Sequence, residues 1–176
     1  IQMKAITALC RDIVCRHGIA PDRVLAHSDV APARKIDPGE KFDWPGLAAN
    51  GVGFWVPPVA IEDGDEGLGQ GADTSDVAQA RALLARYGYG VAETGPLDQE
   101  LGFVLRAFQL HFRPARIDSR LDRSTLETLR RLVDALPARP DDPEVVVPEV
   151  PHHARDRAHV ARLVRLDQDD KGFHAE

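Results

Sequence analysis

His27-Ser28-Asp29-Val30-Ala31-Pro32-Ala33-Arg34-Lys35-Ile36-Asp37-Pro38-Gly39 is the stretch from which the rest of this chain can be read. It follows Arg23-Val24-Leu25-Ala26, a short apolar run suited to a buried strand that ends at His27. From Ser28 to Lys41 there is no apolar periodicity, and Pro32 and Pro38 predict a shaped loop. Pro38 disfavours the helical region for Asp37, which helps to fix the direction of that carboxylate. Zinc takes imidazole nitrogen and carboxylate oxygen at about 2.0–2.2 Å, and a catalytic site keeps three protein ligands with one position open. A stiff loop that returns Asp37 beside a strand-end His27 can supply two of the three. Lys35, two residues before Asp37, can place a cation where negative charge develops on an attacked amide carbonyl. Singly, each residue has an ordinary explanation: a structural histidine, a turn aspartate, a solvated lysine. Their joint occurrence in one ordered motif points to chemistry.

Upstream, Ile6, Leu9, Ile13 and Val14 recur at helical spacing from Gln2 to His17, with Gly18 as C-cap and a turn at Ile19-Ala20-Pro21-Asp22. Cys10 and Cys15 are the only two cysteines. On one helix they face different directions, so they read as semi-buried thiols and not as a disulfide. Downstream, Phe42 to Ala49 predicts a short helix with Asp43 as its cap. The Gly- and Asp-rich stretch 61–76 reads as a flexible linker or long loop.

Residues 77–136 carry three helical patterns. The first holds Ala80, Leu83, Leu84 and Tyr87 and stops at Gly88. The second, from about Asp98 to Phe112, aligns Leu101, Val104, Leu105, Phe108 and Phe112, and Pro114 ends it. The third starts near Ser124, with Glu127 three residues on as a capping-box partner, and carries Leu126, Leu129, Leu132 and Val133. Residues 137–176 are proline-rich and charged and read as a disordered tail; His152, His153 and His159 in it lack a second ligand cluster. No run of about 18 apolar residues predicts a membrane span. Hydrophobic residues make up 43% of the 176, enough for a packed core, and the formal net charge of −6 argues against a nucleic-acid partner.

HSDVAPARKIDPG, followed by Phe42-Asp43-Trp44 and Leu47, resembles the second half of the amidase_2 type of N-acetylmuramoyl-L-alanine amidases. The preceding helix, turn and expected strand fit that family in order and length. The resemblance implies zinc as cofactor, ligation by His27 and Asp37, and Lys35 as transition-state stabiliser. It also implies a further zinc-binding histidine and a catalytic acid upstream of Gln2, so the chain reads as a fragment with two of three ligands, inactive by itself. Trp44 is a candidate for lining the substrate groove, although an aromatic on a short helix is more often core; Asp29 and Arg34 read as loop-fixing residues.

Leu83-Leu84, Tyr87-Gly88-Tyr89, Gly95, Phe108-Gln109 and Thr125-Leu126 resemble the peptidoglycan-binding domain 1 pattern, in which Gln109 and Arg113 are candidates to touch glycan or stem peptide. Asp118-Ser119 replaces the usual Asp-Gly turn, and Asp122 stands where a second glycine is common. The expected architecture is therefore the C-terminal portion of an α/β amidase_2-like catalytic domain (1–60) plus an all-α three-helix module (77–136). The implied partner is peptidoglycan or muropeptides, in the periplasm or outer cell envelope; oligomeric state is not legible. The alternatives are a non-catalytic peptidoglycan-binding protein, a recognition protein on the same scaffold, which Lys35 disfavours, and an amidase of soluble muropeptides, which the helical module disfavours.

Overall fold

Side chains that accept orphan backbone N–H groups decide where the main helices begin. The computed structural model describes residues 2–137. Six α-helices run through them: α1 (Gln2–His17), α2 (His27–Val30), α3 (Trp44–Ala49), α4 (Ser75–Tyr87), α5 (Gln99–Phe112) and α6 (Arg123–Asp134). Asp43 caps α3, accepting from Gly46 N at 2.9 Å, as its position predicts. Thr74 caps α4, Asp98 caps α5 and Asp122 caps α6. The cap of α6 corrects the sequence expectation. Ser124 is not the cap; its hydroxyl donates instead to the Val59 carbonyl at 2.6 Å, while Thr125 N donates to Asp122 Oδ1 at 2.6 Å.

α4, α5 and α6 enclose one apolar core in which Val77, Leu84, Leu105, Phe108, Phe112, Leu129 and Leu132 are fully buried. Deleting a ring such as that of Phe108 from this core would cost on the order of 3–5 kcal/mol. A second, smaller cluster gathers Ala26, Trp44, Leu47 and Val52, with Met3 and Cys10 of α1 partly buried against it. Trp55 packs against both clusters. α1 itself contains no buried residue, and Leu9 is 59% exposed. It ends as predicted: Gly18 takes φ +60°, and Ile19 N bonds back to the Val14 carbonyl at 3.1 Å. Cys10 is half-buried and Cys15 exposed, without a disulfide, so Cys15 departs from the semi-buried expectation.

The expected strand at Arg23–His27 is not formed, and among the described residues there is no strand, so the α/β character is not seen in them. Pro21–Arg23 is a 3-10 turn, and His27 opens α2. A strand needs a neighbour to take its N–H groups. Here the Ala26 N–H is taken by Asp29 Oδ2 at 2.8 Å, which turns the chain into α2.

The stretch 61–76 is docked and not a free linker. Leu68 and Leu121 form an isolated antiparallel bridge, with N–H to carbonyl distances of 2.9 and 3.0 Å. Arg116 donates to the Asp65 carbonyl at 2.8 Å and Arg120 to that of Gly67 at 2.7 Å. Gly67 is required there: at φ +67° a Cβ would lie 2.7 Å from Asp122 N. Of the expected tail only Pro137 falls among the described residues; His152, His153 and His159 lie outside them.

Candidate functional site

The loop after α2 returns the chain so that Ser28 N donates to the Asp37 carbonyl at 3.2 Å. That bond sets the side chains of His27 and Asp37 together, His27 Nδ1 lying 2.5 Å from Asp37 Oδ2. An ionised carboxylate only accepts, so Nδ1 carries the hydrogen and donates. Both groups are open to solvent, with side-chain exposures of 73% and 56%. The hydrogen bond from His27 is the main reason the Asp37 carboxyl is held below its ordinary range; the charges of His27 and Lys35 act in the same direction. The Asp37-Pro38 peptide is cis. Lys35 is exposed on the same loop, its backbone N bonded to the Ala31 carbonyl at 3.0 Å.

One imidazole and one carboxylate in contact form a donor set that fits zinc. Among the described residues no group of three or more His, Cys, Asp or Glu side chains forms a metal-holding cluster. The structure thus brings together His27 and Asp37, with Lys35 on the same loop.

Three other expected site residues are placed elsewhere. Trp44 is 5% exposed and stacks on His111 with ring centroids 3.7 Å apart, so it is core and not groove lining. Gln109 is fully buried. Its Oε1 accepts from Asp118 N and Ser119 N, both at 3.0 Å, and its Nε2 donates to the Arg120 carbonyl at 2.9 Å. It holds the 118–120 turn, in which Ser119 takes φ +62° where glycine is usual. Arg113 is also buried; Nη2 donates to Thr125 Oγ1 at 2.7 Å and pairs with Asp122 Oδ2 at 3.2 Å. Burial lowers the pKa of Arg113, against the opposing charge of Asp122. Gln109 and Arg113 are buried in the module interior, with their bonds spent on its own turn and on α6.

Behind the His27–Asp37 loop lies a constellation the sequence reading did not single out as functional. Asp29 Oδ1 accepts from Tyr89 Oη at 2.7 Å, and Asp29 Oδ2 from His111 Nδ1 at 2.7 Å. Burial, and then the Asp29 charge, push the Tyr89 hydroxyl well above its ordinary pKa, so it stays protonated and donates. The local signals were Asp29, read as a loop-fixing residue, and a histidine on the apolar α5 beside Phe112.

The His27–Asp37 pair thus stands on a proline-bearing loop packed against a capped three-helix module. Residues 1–40 match the N-acetylmuramoyl-L-alanine amidase family (Amidase_2), and residues 73–129 match the peptidoglycan binding domain family (PG_binding_1). The chain is 39% identical over 135 residues to the N-acetylmuramoyl-L-alanine amidase AmiD of Escherichia coli (strain K12), covering 76% of this chain and 48% of that protein. Its fold is similar to AmiD from E. coli solved with anhydro-N-acetylmuramic acid-L-Ala-D-gamma-Glu-L-Lys, with a TM-score of 0.61, 36% identity, and coverage of 76% of this chain and 51% of that one. It is also similar to AMPDH3 from Pseudomonas aeruginosa in complex with anhydromuramic pentapeptide, with a TM-score of 0.59, 33% identity, and coverage of 78% and 53%. The chain therefore spans about half the length of these relatives.

Proposed function

We propose that the chain is part of a zinc-dependent amidase that hydrolyses the bond between N-acetylmuramic acid and L-alanine in peptidoglycan. The observation that carries this reading is the contact of His27 and Asp37 at 2.5 Å, inside the segment that matches the amidase family. His27 and Asp37 would hold the metal as two of its protein ligands. When bound, zinc supplies Lewis-acid polarisation of a carbonyl and activation of water. The Lys35 ammonium, exposed on the same loop, stabilises the negative charge that develops on the amide oxygen. The relatives solved with anhydromuramoyl peptides support muropeptides as the substrate class.

The helical module would hold the chain on the wall and raise the local concentration of the amidase part there. A wall substrate fits a location in the periplasm or outer cell envelope. Among the described residues no helix is long and apolar enough to cross a membrane.

The test is incubation of the chain with purified sacculi and zinc, scored by newly exposed L-alanine amino groups and by co-sedimentation. Release that is lost in Lys35→Ala and with chelator supports the full reading for this chain. Sedimentation without release supports wall recognition and counts against hydrolysis by this chain alone. Neither release nor sedimentation overturns the reading.

A further inference from the structure

The helical module touches the His27 segment through groups too buried to meet any wall polymer. Asp29 lies two residues after His27, and its carboxylate, 2% exposed, accepts three hydrogen bonds. One comes from its own turn, Ala26 N at 2.8 Å. The other two come from the module: Tyr89 Oη at 2.7 Å, just after α4, and His111 Nδ1 at 2.7 Å, on α5. The His111 ring is held in turn between Trp44, at 3.7 Å, and Phe112, at 3.9 Å between centroids. Its direction is therefore fixed from both faces, one belonging to each part of the chain.

The path to the ligand pair is short. Asp29 fixes Ala26 and so the first turn of α2, whose first residue is His27. The next residue, Ser28, carries the N–H that binds the Asp37 carbonyl. We propose that Tyr89 and His111 of the helical module are positioning residues for the His27–Asp37 pair, acting through Asp29, so that the module is a structural half of the amidase site as well as a wall anchor. This rests on the functional reading above only where zinc is concerned; the coupling itself is a property of the fold. Partners that orient metal ligands from behind commonly change metal affinity about 10–100-fold when removed. Here the connection runs through one backbone turn, so the lower end of that range is expected.

The experiment uses the whole 176-residue chain and the variants Tyr89→Phe, His111→Leu and His111→Asn. The asparagine amide can occupy the place of Nδ1 and restore the donor. Amide hydrogen exchange without metal, and a zinc titration followed on the His27 ring signals, are the two readouts. Exchange at Ser28 should rise about tenfold in Tyr89→Phe and His111→Leu, while core amides of α5 and α6 keep their protection. Zinc affinity should fall about tenfold in the same two variants, and His111→Asn should recover most of both effects.

Ser28 exchange that stays at the wild-type rate in Tyr89→Phe and His111→Leu would overturn the coupling. So would loss of protection spread evenly over α5 and α6, because that is general destabilisation. Zinc binding measured by calorimetry that keeps its wild-type affinity in His27→Ala would sink the functional reading, and the metal-free exchange result would still decide the coupling.

Discussion

Asp122→Asn separates the two tasks of one buried carboxylate. Asp122 is 0% exposed in its side chain and caps α6. It also faces Arg113, itself 1% exposed, at 3.2 Å, and pairs with Arg116, which is 30% exposed. Asparagine caps a helix about as well as aspartate, so the cap term is close to zero. Arg116 can turn to water, which limits its loss to about 0.5 kcal/mol. Arg113 cannot, and stranding a buried charge costs roughly 3–5 kcal/mol. The Asp118 and Asp65 charges still favour the Arg113 cation, and Nη2 keeps its bond to Thr125, so the low end, about 3 kcal/mol, is expected.

For a chain of this size that is a fall of roughly 6–12 °C in Tm, read by circular dichroism in parallel with urea unfolding. Adding Arg113→Met should recover at least half of the loss, because no charge is then stranded. Acid behaviour gives a second check. Burial raises the Asp122 pKa, but hydrogen bonds from Arg116 and Thr125 and the charge of Arg113 outweigh it, and the net shift is downward. Its contribution is therefore present above the unfolded carboxylate value, about 3.9, and is lost as pH falls below that toward the depressed folded value. Wild type should lose stability more steeply than Asp122→Asn below about pH 4. A loss under about 1 kcal/mol at neutral pH would refute the claim that Asp122 neutralises Arg113.

Gly67→Ala should destabilise by about 2 kcal/mol or more, since its Cβ would meet the Asp122 backbone and its φ is positive. Gly64→Ala, at φ +82° but with open space around it, should cost only about 1 kcal/mol in the same urea titration; equal losses would disprove the steric argument. Asp98→Ala should cost about 2 kcal/mol, from the lost cap on Leu101 N and the lost partner of Arg81. Because the Leu101 backbone bond, and then Arg81, hold the Asp98 carboxyl below its ordinary range, this contribution too should vanish as pH falls below about 4. In His27→Ala the Asp37 carboxyl should titrate higher than in wild type, since the His27 bond is the main cause of its depression; an unchanged carbon-13 titration curve would contradict the pairing.

Apolar spacing made α4, α5 and α6 legible, because a helix that buries one face repeats that face in sequence. What failed did so where a polar group took a partner that composition and spacing do not show. Glu127 three residues after Ser124 looked like a capping box, yet the Ser124 hydroxyl goes to Val59, and Glu127 pairs with Arg130. The 61–76 stretch has the composition of a linker, but its carbonyls are held by Arg116 and Arg120, residues more than fifty positions away. The run at Arg23–His27 reads as a strand by composition, and the side chain of Asp29 redirects it. The His27–Asp37 pair was legible because both residues and the bend between them lie within one motif.

Hydrogen-bonding capacity sorts the candidate residues better than residue type does. Both acceptor sites of Gln109 Oε1 are filled by backbone N–H groups, and its amide hydrogens point at three acceptors, so no valence remains for a glycan. Arg113 has nitrogens without a protein partner, Nε and Nη1, but they are sealed from solvent. His27 engages one ring nitrogen and Asp37 one oxygen, and both side chains are more than half exposed, so each keeps lone-pair capacity that a metal or substrate can reach. The polar residues of the module interior therefore define its shape, and any wall contact it makes has to come from its exposed side chains. By the same inventory, the loop from His27 to Asp37 is where side chains keep open valence at the surface.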